Sequence, residues 1–125
     1  MKTSQYILIA FIAFAITSCG NKAESETVET STVVANGLAN STFKVWGNCD
    51  MCKETIEGSL KVEGVTKADW STETKMISVT YDTTKITLDK IQKNIAVVGY
   101  DNEKYKGDNT TYSELPECCQ YDRKP

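Results

Sequence analysis

Eleven residues, Thr42-Phe43-Lys44-Val45-Trp46-Gly47-Asn48-Cys49-Asp50-Met51-Cys52, limit the fold of this chain more than any other stretch. Phe43 and Val45 alternate with polar neighbours, as in a half-buried strand. The run ends at Gly47, and a Cys-x-x-Cys pair follows. A helical pattern begins near Asp50. Cys52, Ile56 and Leu60 recur every four residues, while Lys53, Glu54 and Glu57 fall elsewhere. Strand, loop, two thiols, helix: this order sets both sulfurs at a helix N-terminus. Backbone amides and the helix dipole there favour negative charge and lower thiol pKa values. The thiolate is the form that binds metal or does redox work.

The elements downstream follow from the same periodicities. Gly58 weakens the first helix slightly, and Gly64 offers its stop. Val65 to Trp70 reads as a strand with Ala68 and Trp70 on one face. Ser71 to Thr74 reads as a turn, and Ile77, Val79 and Tyr81 mark a second alternating strand. Thr87 caps a second helix, Ile86 meets Ile91 as a hydrophobic staple, and Asp89 sits in the first turn. Leu88, Ile91, Ile95 and Val98 form its buried stripe, and Gly99 ends it. Asn102 to Lys106 reads as a weak edge strand carrying lysines. The order strand, helix, strand, strand, helix, strand over residues 41–106 predicts an α+β, ferredoxin-like βαββαβ sandwich. It has one antiparallel sheet with two helices on one face. About 65 residues make only a thin core, to which a bound metal would add stability.

The flanks carry different information. Residues 1–18 read as a signal peptide: a basic start, then an apolar run from Tyr6 to Ile16, within the roughly 7–15 residues of such segments. Ile16-Thr17-Ser18-Cys19 resembles a bacterial lipobox, which implies cleavage before Cys19 and lipidation of it. The alternative is an ordinary secretory signal beside a free cysteine. Residues 19–40, rich in Ser, Thr, Glu and Ala, read as a disordered tether with a reach on the order of 25 Å. The expectation is a protein of the cell envelope, lipid-anchored and facing the periplasm, on the inner or outer membrane. Residues 107–125 form a polar tail that ends in Leu115-Pro116-Glu117-Cys118-Cys119-Gln120-Tyr121. Leu115 and Tyr121 suggest that it docks.

Composition narrows the chemistry. Net charge is -3, with 17 acidic and 14 basic residues, and no basic stripe invites nucleic acid. With no histidine in the chain, a soft-metal site has to use sulfur. Ser-His-Asp and Cys-His catalysis are likewise excluded. Nothing is poised for acid–base work, so the expectation is a non-enzyme.

Cys49-x-x-Cys52 between strand and helix, Gly64-Val65 after that helix, and Gly99-Tyr100-Asp101 after the second together resemble a heavy-metal-associated domain. This is the module of copper chaperones, periplasmic mercury-binding proteins and the N-terminal ends of metal-pumping ATPases. The resemblance implies that Cys49 and Cys52 are thiolate ligands, with Cu(I) as cargo and Hg(II) or Zn(II) as alternatives. It implies Tyr100 as a shield beside the metal loop, against a core-edge aromatic as the plainer reading. A metal-transporting ATPase or efflux component becomes the expected partner. The usual family loop is Gly-Met-x-Cys-x-x-Cys; here Trp46 and Gly47 stand at its glycine and methionine. Trp46 would then supply the missing packing or form an exposed contact.

Two thiolates hold Cu(I) without enclosing it, so a partner's cysteine can take the ion by ligand exchange. Met51 adds a third soft donor if it turns inward. Cys118 and Cys119 have three readings: further ligands of the same ion, a separate soft-metal or redox site, or a structural pairing with another cysteine. For the whole chain, capture, buffering or transfer of a soft metal competes with two alternatives. One is a thiol-disulfide redox protein, which lacks the proline that thioredoxin-like sites place opposite their thiols. The other is a zinc-stapled interaction domain using the four cysteines that remain beside Cys19.

Overall fold

The computed structural model describes residues 30–33 and 35–125. The expected signal segment 1–18, Cys19 and the tether residues 19–29 lie outside the described residues. Strands run over Thr30–Val33 (β1), Leu38–Lys44 (β2), Val65–Trp70 (β3) and Met76–Asp82 (β4). Helices run over Asp50–Gly58 (α1), Leu88–Val97 (α2) and Asn109–Glu114 (α3). The sheet is antiparallel in the order β1-β2-β4-β3. No helix among the described residues is long and apolar enough to cross a membrane.

Period-two alternation puts Phe43, Val45, Ile77, Val79 and Tyr81 on the covered face, where Cys52, Ile56, Ile91 and Ile95 of the two long helices meet them. The second helix forms as its sequence predicts. The Thr87 side chain accepts from the Lys90 amide at 3.2 Å, and Gly99 takes φ +91° after its end. These elements realise the ferredoxin-like arrangement, with three departures at its borders.

The expected strand at Asn102–Lys106 shrinks to a single bridge between Asn102 and Val45. The Asn102 side chain accepts from the Lys104 and Tyr105 amides at 3.2 and 3.0 Å and closes a local turn there, at the expense of a ladder. The same edge of β2 is already occupied by β1, whose pairing runs from Thr30↔Thr42 to Val33↔Ala39. Ordered structure therefore reaches back past the expected border at 41. The turn between these strands contains Asn36 and Gly37 at φ 76° and 77°, the left-handed pair that tight hairpins need. Finally, α1 ends at Gly58 and not at Gly64; the Ser59 hydroxyl donates to the Ile56 carbonyl at 2.7 Å. Gly64, at φ +95°, opens β3 instead, and a side chain there would meet Ile86 Cγ2 at 2.8 Å.

Beyond the sandwich, the tail folds back onto it. α3 leads through Pro116 into a short 3-10 turn at Glu117–Cys119 and then to Tyr121, which is 2% exposed.

Candidate metal centre

Val45 is the last buried residue of the β2 run. Its amide donates to the Lys75 carbonyl at 2.9 Å, and that of Trp46 to the Asp101 carbonyl at 2.9 Å. These bonds fix the start of the thiol loop. Gly47 is buried, and a Cβ there would lie 3.0 Å from the Trp70 ring. Trp70 therefore fills the space beside the loop, anchored by its indole N–H to the Val45 carbonyl at 3.1 Å. Trp46 is half-buried, with the Lys44 ammonium 4.7 Å from its ring centroid.

Cys49 is the N-cap of α1 and Cys52 its third residue, the spacing of a reciprocal capping box. Here both members are sulfur. The Cys52 Sγ accepts from the Asn48 and Cys49 amides at 3.3 and 3.5 Å, and the Cys52 amide points at the Cys49 sulfur. That amide is the main reason the Cys49 thiol is lowered to about 7, against a smaller opposing effect of burial. A substantial share of Cys49 is thus thiolate near neutral pH. Lys75, at φ 60°, donates to the Asn48 carbonyl at 3.2 Å and leaves a cation at the loop.

The tail brings the other two cysteines to the same place. Cys49 Sγ lies 3.7 Å from Cys52 Sγ and 3.9 Å from Cys119 Sγ, and Cys118 Sγ lies 4.0 Å from Cys119 Sγ. The sulfurs of Cys49, Cys118 and Cys119 all lie within 4.8 Å of one another. All four are free thiols in this structure. Burial, and then the facing Cys52 sulfur, push the Cys119 thiol up to about 12. Met51 is half exposed, with its sulfur 3.6 Å from Cys118 Sγ. The set divides into an inner pair, Cys52 and Cys119, 0% and 1% exposed, and an outer pair, Cys49 partly exposed and Cys118 exposed.

Tyr100 closes the inner side. It is fully buried, and its hydroxyl faces the Cys52 and Cys119 sulfurs while making no hydrogen bond to nitrogen or oxygen. Burial, and then those sulfurs, hold its pKa far above the ordinary phenol range. Tyr121 stacks on it at 5.5 Å and 15°. The Tyr121 hydroxyl accepts from the Asp101 amide and donates to the Gly99 carbonyl, both at 2.7 Å. Tyr112 packs edge-on and donates to the Tyr121 carbonyl at 2.7 Å. Arg123 pairs with the fully buried Asp101 carboxylate and lies over the Tyr112 ring. Burial would raise the Asp101 pKa; Arg123 and the Gly107 and Lys124 amides outweigh it and hold the carboxyl below its ordinary range. The Asp101–Arg123 clamp carries no local sequence signal.

Among the described residues the ligand group that gathers here is made of thiols, so the set suits a soft cation. Thiolates about 2.3 Å from one ion stand about 4.0 Å apart in a trigonal plane and about 3.8 Å apart in a tetrahedron. The four sulfurs follow one another in the order Cys52, Cys49, Cys119, Cys118 at successive separations of 3.7, 3.9 and 4.0 Å, each close to that spacing.

Residues 42–101 match the family model of the heavy-metal-associated domain. The copper chaperone CopZ of Staphylococcus saprophyticus is 36% identical over 66 residues, which is 51% of this chain and 97% of that protein. The chain belongs to the heavy-metal-associated domain family. The copper chaperone CopZ of Staphylococcus aureus (strain Newman) is 36% identical over 55 residues, 43% of this chain and 81% of its own. Oxidised MerP from Ralstonia metallidurans CH34 matches in structure with a TM-score of 0.50 at 35% identity, covering 53% of this chain and 94% of MerP. These relatives end near the domain's own limits, so α3, Cys118 and Cys119 are additions to the heavy-metal-associated domain of this chain.

Proposed function

We propose that this heavy-metal-associated domain captures a soft metal ion, Cu(I), at Cys49 and Cys52 and hands it on by ligand exchange outside the cytoplasm. One observation carries the reading. Two sulfurs 3.7 Å apart sit at a helix N-terminus, one with its pKa lowered to about 7 and partly exposed, the other fully buried. Binding replaces protons on the thiols with the ion. Transfer forms a bond to an incoming thiolate as one to Cys49 breaks; copper stays Cu(I) and no electron moves. The names of the CopZ relatives favour copper, and the sulfur set also suits Hg(II). Residues 1–18 as a signal, Cys19 as the lipid-bearing residue and the segment after it as a tether would hold the domain at the periplasmic face of a membrane. There a metal-transporting ATPase or efflux component would be its exchange partner.

The group of Cys49, Cys118 and Cys119, with Cys52 3.7 Å from Cys49, favours a second reading, a zinc staple on all four thiolates. The thioredoxin-like reading has no support in this topology. The test is anaerobic competition between the reduced chain and a chromogenic Cu(I) chelator, beside Cys49→Ser and Cys52→Ser. Tight Cu(I) binding that either substitution abolishes supports the proposal. Retention of Zn(II) in preference to Cu(I) supports the staple.

A further inference from the structure

The relatives account for the loop cysteines and leave Cys118 and Cys119 without a role. We infer that Cys118 and Cys119 are ligands of the same ion as Cys49 and Cys52, so that the C-terminal tail is a detachable lid over the metal loop. The inference rests on the proposed site at Cys49 and Cys52 and adds to it the coordination number and its control. Three observations carry it. The sulfurs of Cys49, Cys118 and Cys119 lie within 4.8 Å of one another, and Cys52 Sγ joins them through Cys49 at 3.7 Å. The fully buried Tyr100 hydroxyl makes no oxygen or nitrogen bond and is aimed at Cys52 and Cys119, where thiolates bound to a cation would accept from it. The tail that delivers the pair is tied to the domain by side chains and not by a ladder: Tyr121 on Tyr100, and Arg123 on Asp101.

A two-thiolate loop exchanges its ion readily, whereas a site closed by a third or fourth sulfur holds it. With the tail docked, Cys49 and Cys118 form the solvent-facing edge and Cys52 and Cys119 the floor. Lifting the tail removes one edge sulfur and one floor sulfur together, returning the ion to the two-coordinate loop. A partner that displaces the tail would therefore trigger release. The tail thiols act intramolecularly, and second-site engagement of that kind adds on the order of 10²-fold or more to retention.

The experiment uses the full chain in detergent, reduced and anaerobic, loaded with one equivalent of Cu(I). X-ray absorption at the copper edge reads the sulfur number, and a chromogenic chelator reads the release rate. Variants are Cys118→Ser/Cys119→Ser, Cys118→Ser alone (an exposed site that spares the core) and Cys49→Ser. Three or more sulfurs in the parent, two in the double variant, and release faster by about 10²-fold support the lid. Two sulfurs in the parent, with release unchanged in both tail variants, overturn it while leaving the loop site standing. Copper retained in Cys49→Ser but lost in the tail double variant overturns both, because the ion would then sit on the tail alone.

Discussion

Removing one oxygen from Tyr121 should loosen the tail without disturbing the domain beneath it. Tyr121→Phe keeps the ring stacked on Tyr100 at 5.5 Å. It deletes the hydroxyl that serves the Asp101 amide and the Gly99 carbonyl, both at 2.7 Å. Each buried backbone group left without a partner costs about 1–3 kcal/mol, so the pair costs about 2–6 kcal/mol. Water relieves that cost only where the tail lifts, so it falls on tail docking before global stability. At 1.4 kcal/mol per factor of ten, the open fraction rises by about 30-fold at the least and by up to about 20,000-fold. Cys119, 1% exposed when docked, reports it. The assay is alkylation of the reduced, metal-free protein, resolved by peptide mass spectrometry, with the rate at Cys119 compared between parent and variant. Tail opening on this scale accelerates modification of Cys119 and leaves Cys49 unchanged. An unchanged Cys119 rate would refute the claim that this hydroxyl holds the lid.

Other consequences concern pH and packing. The folded Asp101 carboxyl lies below its ordinary value, so its stabilisation is complete above the unfolded pKa of about 4 and disappears as pH falls through the folded value. Exchange at the Gly107 amide, which donates to Asp101 at 2.7 Å, should therefore accelerate under acid in the parent; Asp101→Asn should remove that pH step. Alkylation of Cys49 should reach half its maximal rate at a pH of about 7, well before Cys119 responds. Gly107→Ala would place a Cβ 2.6 Å from the Gly99 carbonyl carbon and oxygen, and overpacking of that kind costs about 1–3 kcal/mol. Gly58→Ala meets nothing within 4 Å in the last turn of α1 and should stabilise by about 0.5–1 kcal/mol. Chemical denaturation measures both.

Where packing repeats at a fixed period, residue patterns were enough to place the elements. Ile77, Val79 and Tyr81 took the covered face of β4, and Thr87 capped α2 as its spacing required. The thiol loop was readable because a cap and a metal pair share one spacing, i to i+3. Three features leave no such period in the sequence. The β1 hairpin hides in a Ser/Thr-rich stretch, although Asn36-Gly37 is a strong local turn signal; composition outweighed it. The strand at Asn102–Lys106 was lost because the Asn102 amide side chain competed for the backbone, a contest that hydropathy patterns do not register. Trp70 behind Gly47 and Arg123 on Asp101 are long-range contacts, joining residues 23 and 22 positions apart. The adjacency of Cys118 and Cys119 to Cys49 depends on those contacts, so the sequence could raise the question and only the fold could bring the sulfurs together.

The central claim is that the fold assembles sulfurs for a soft ion. Native mass spectrometry of the reduced chain, mixed anaerobically with equimolar Cu(I), tests it most directly. The expected result is one copper per chain, bound with loss of thiol protons and absent from a Cys49→Ser/Cys52→Ser variant. A chain that stays copper-free, or a variant that loads as the parent does, would contradict it.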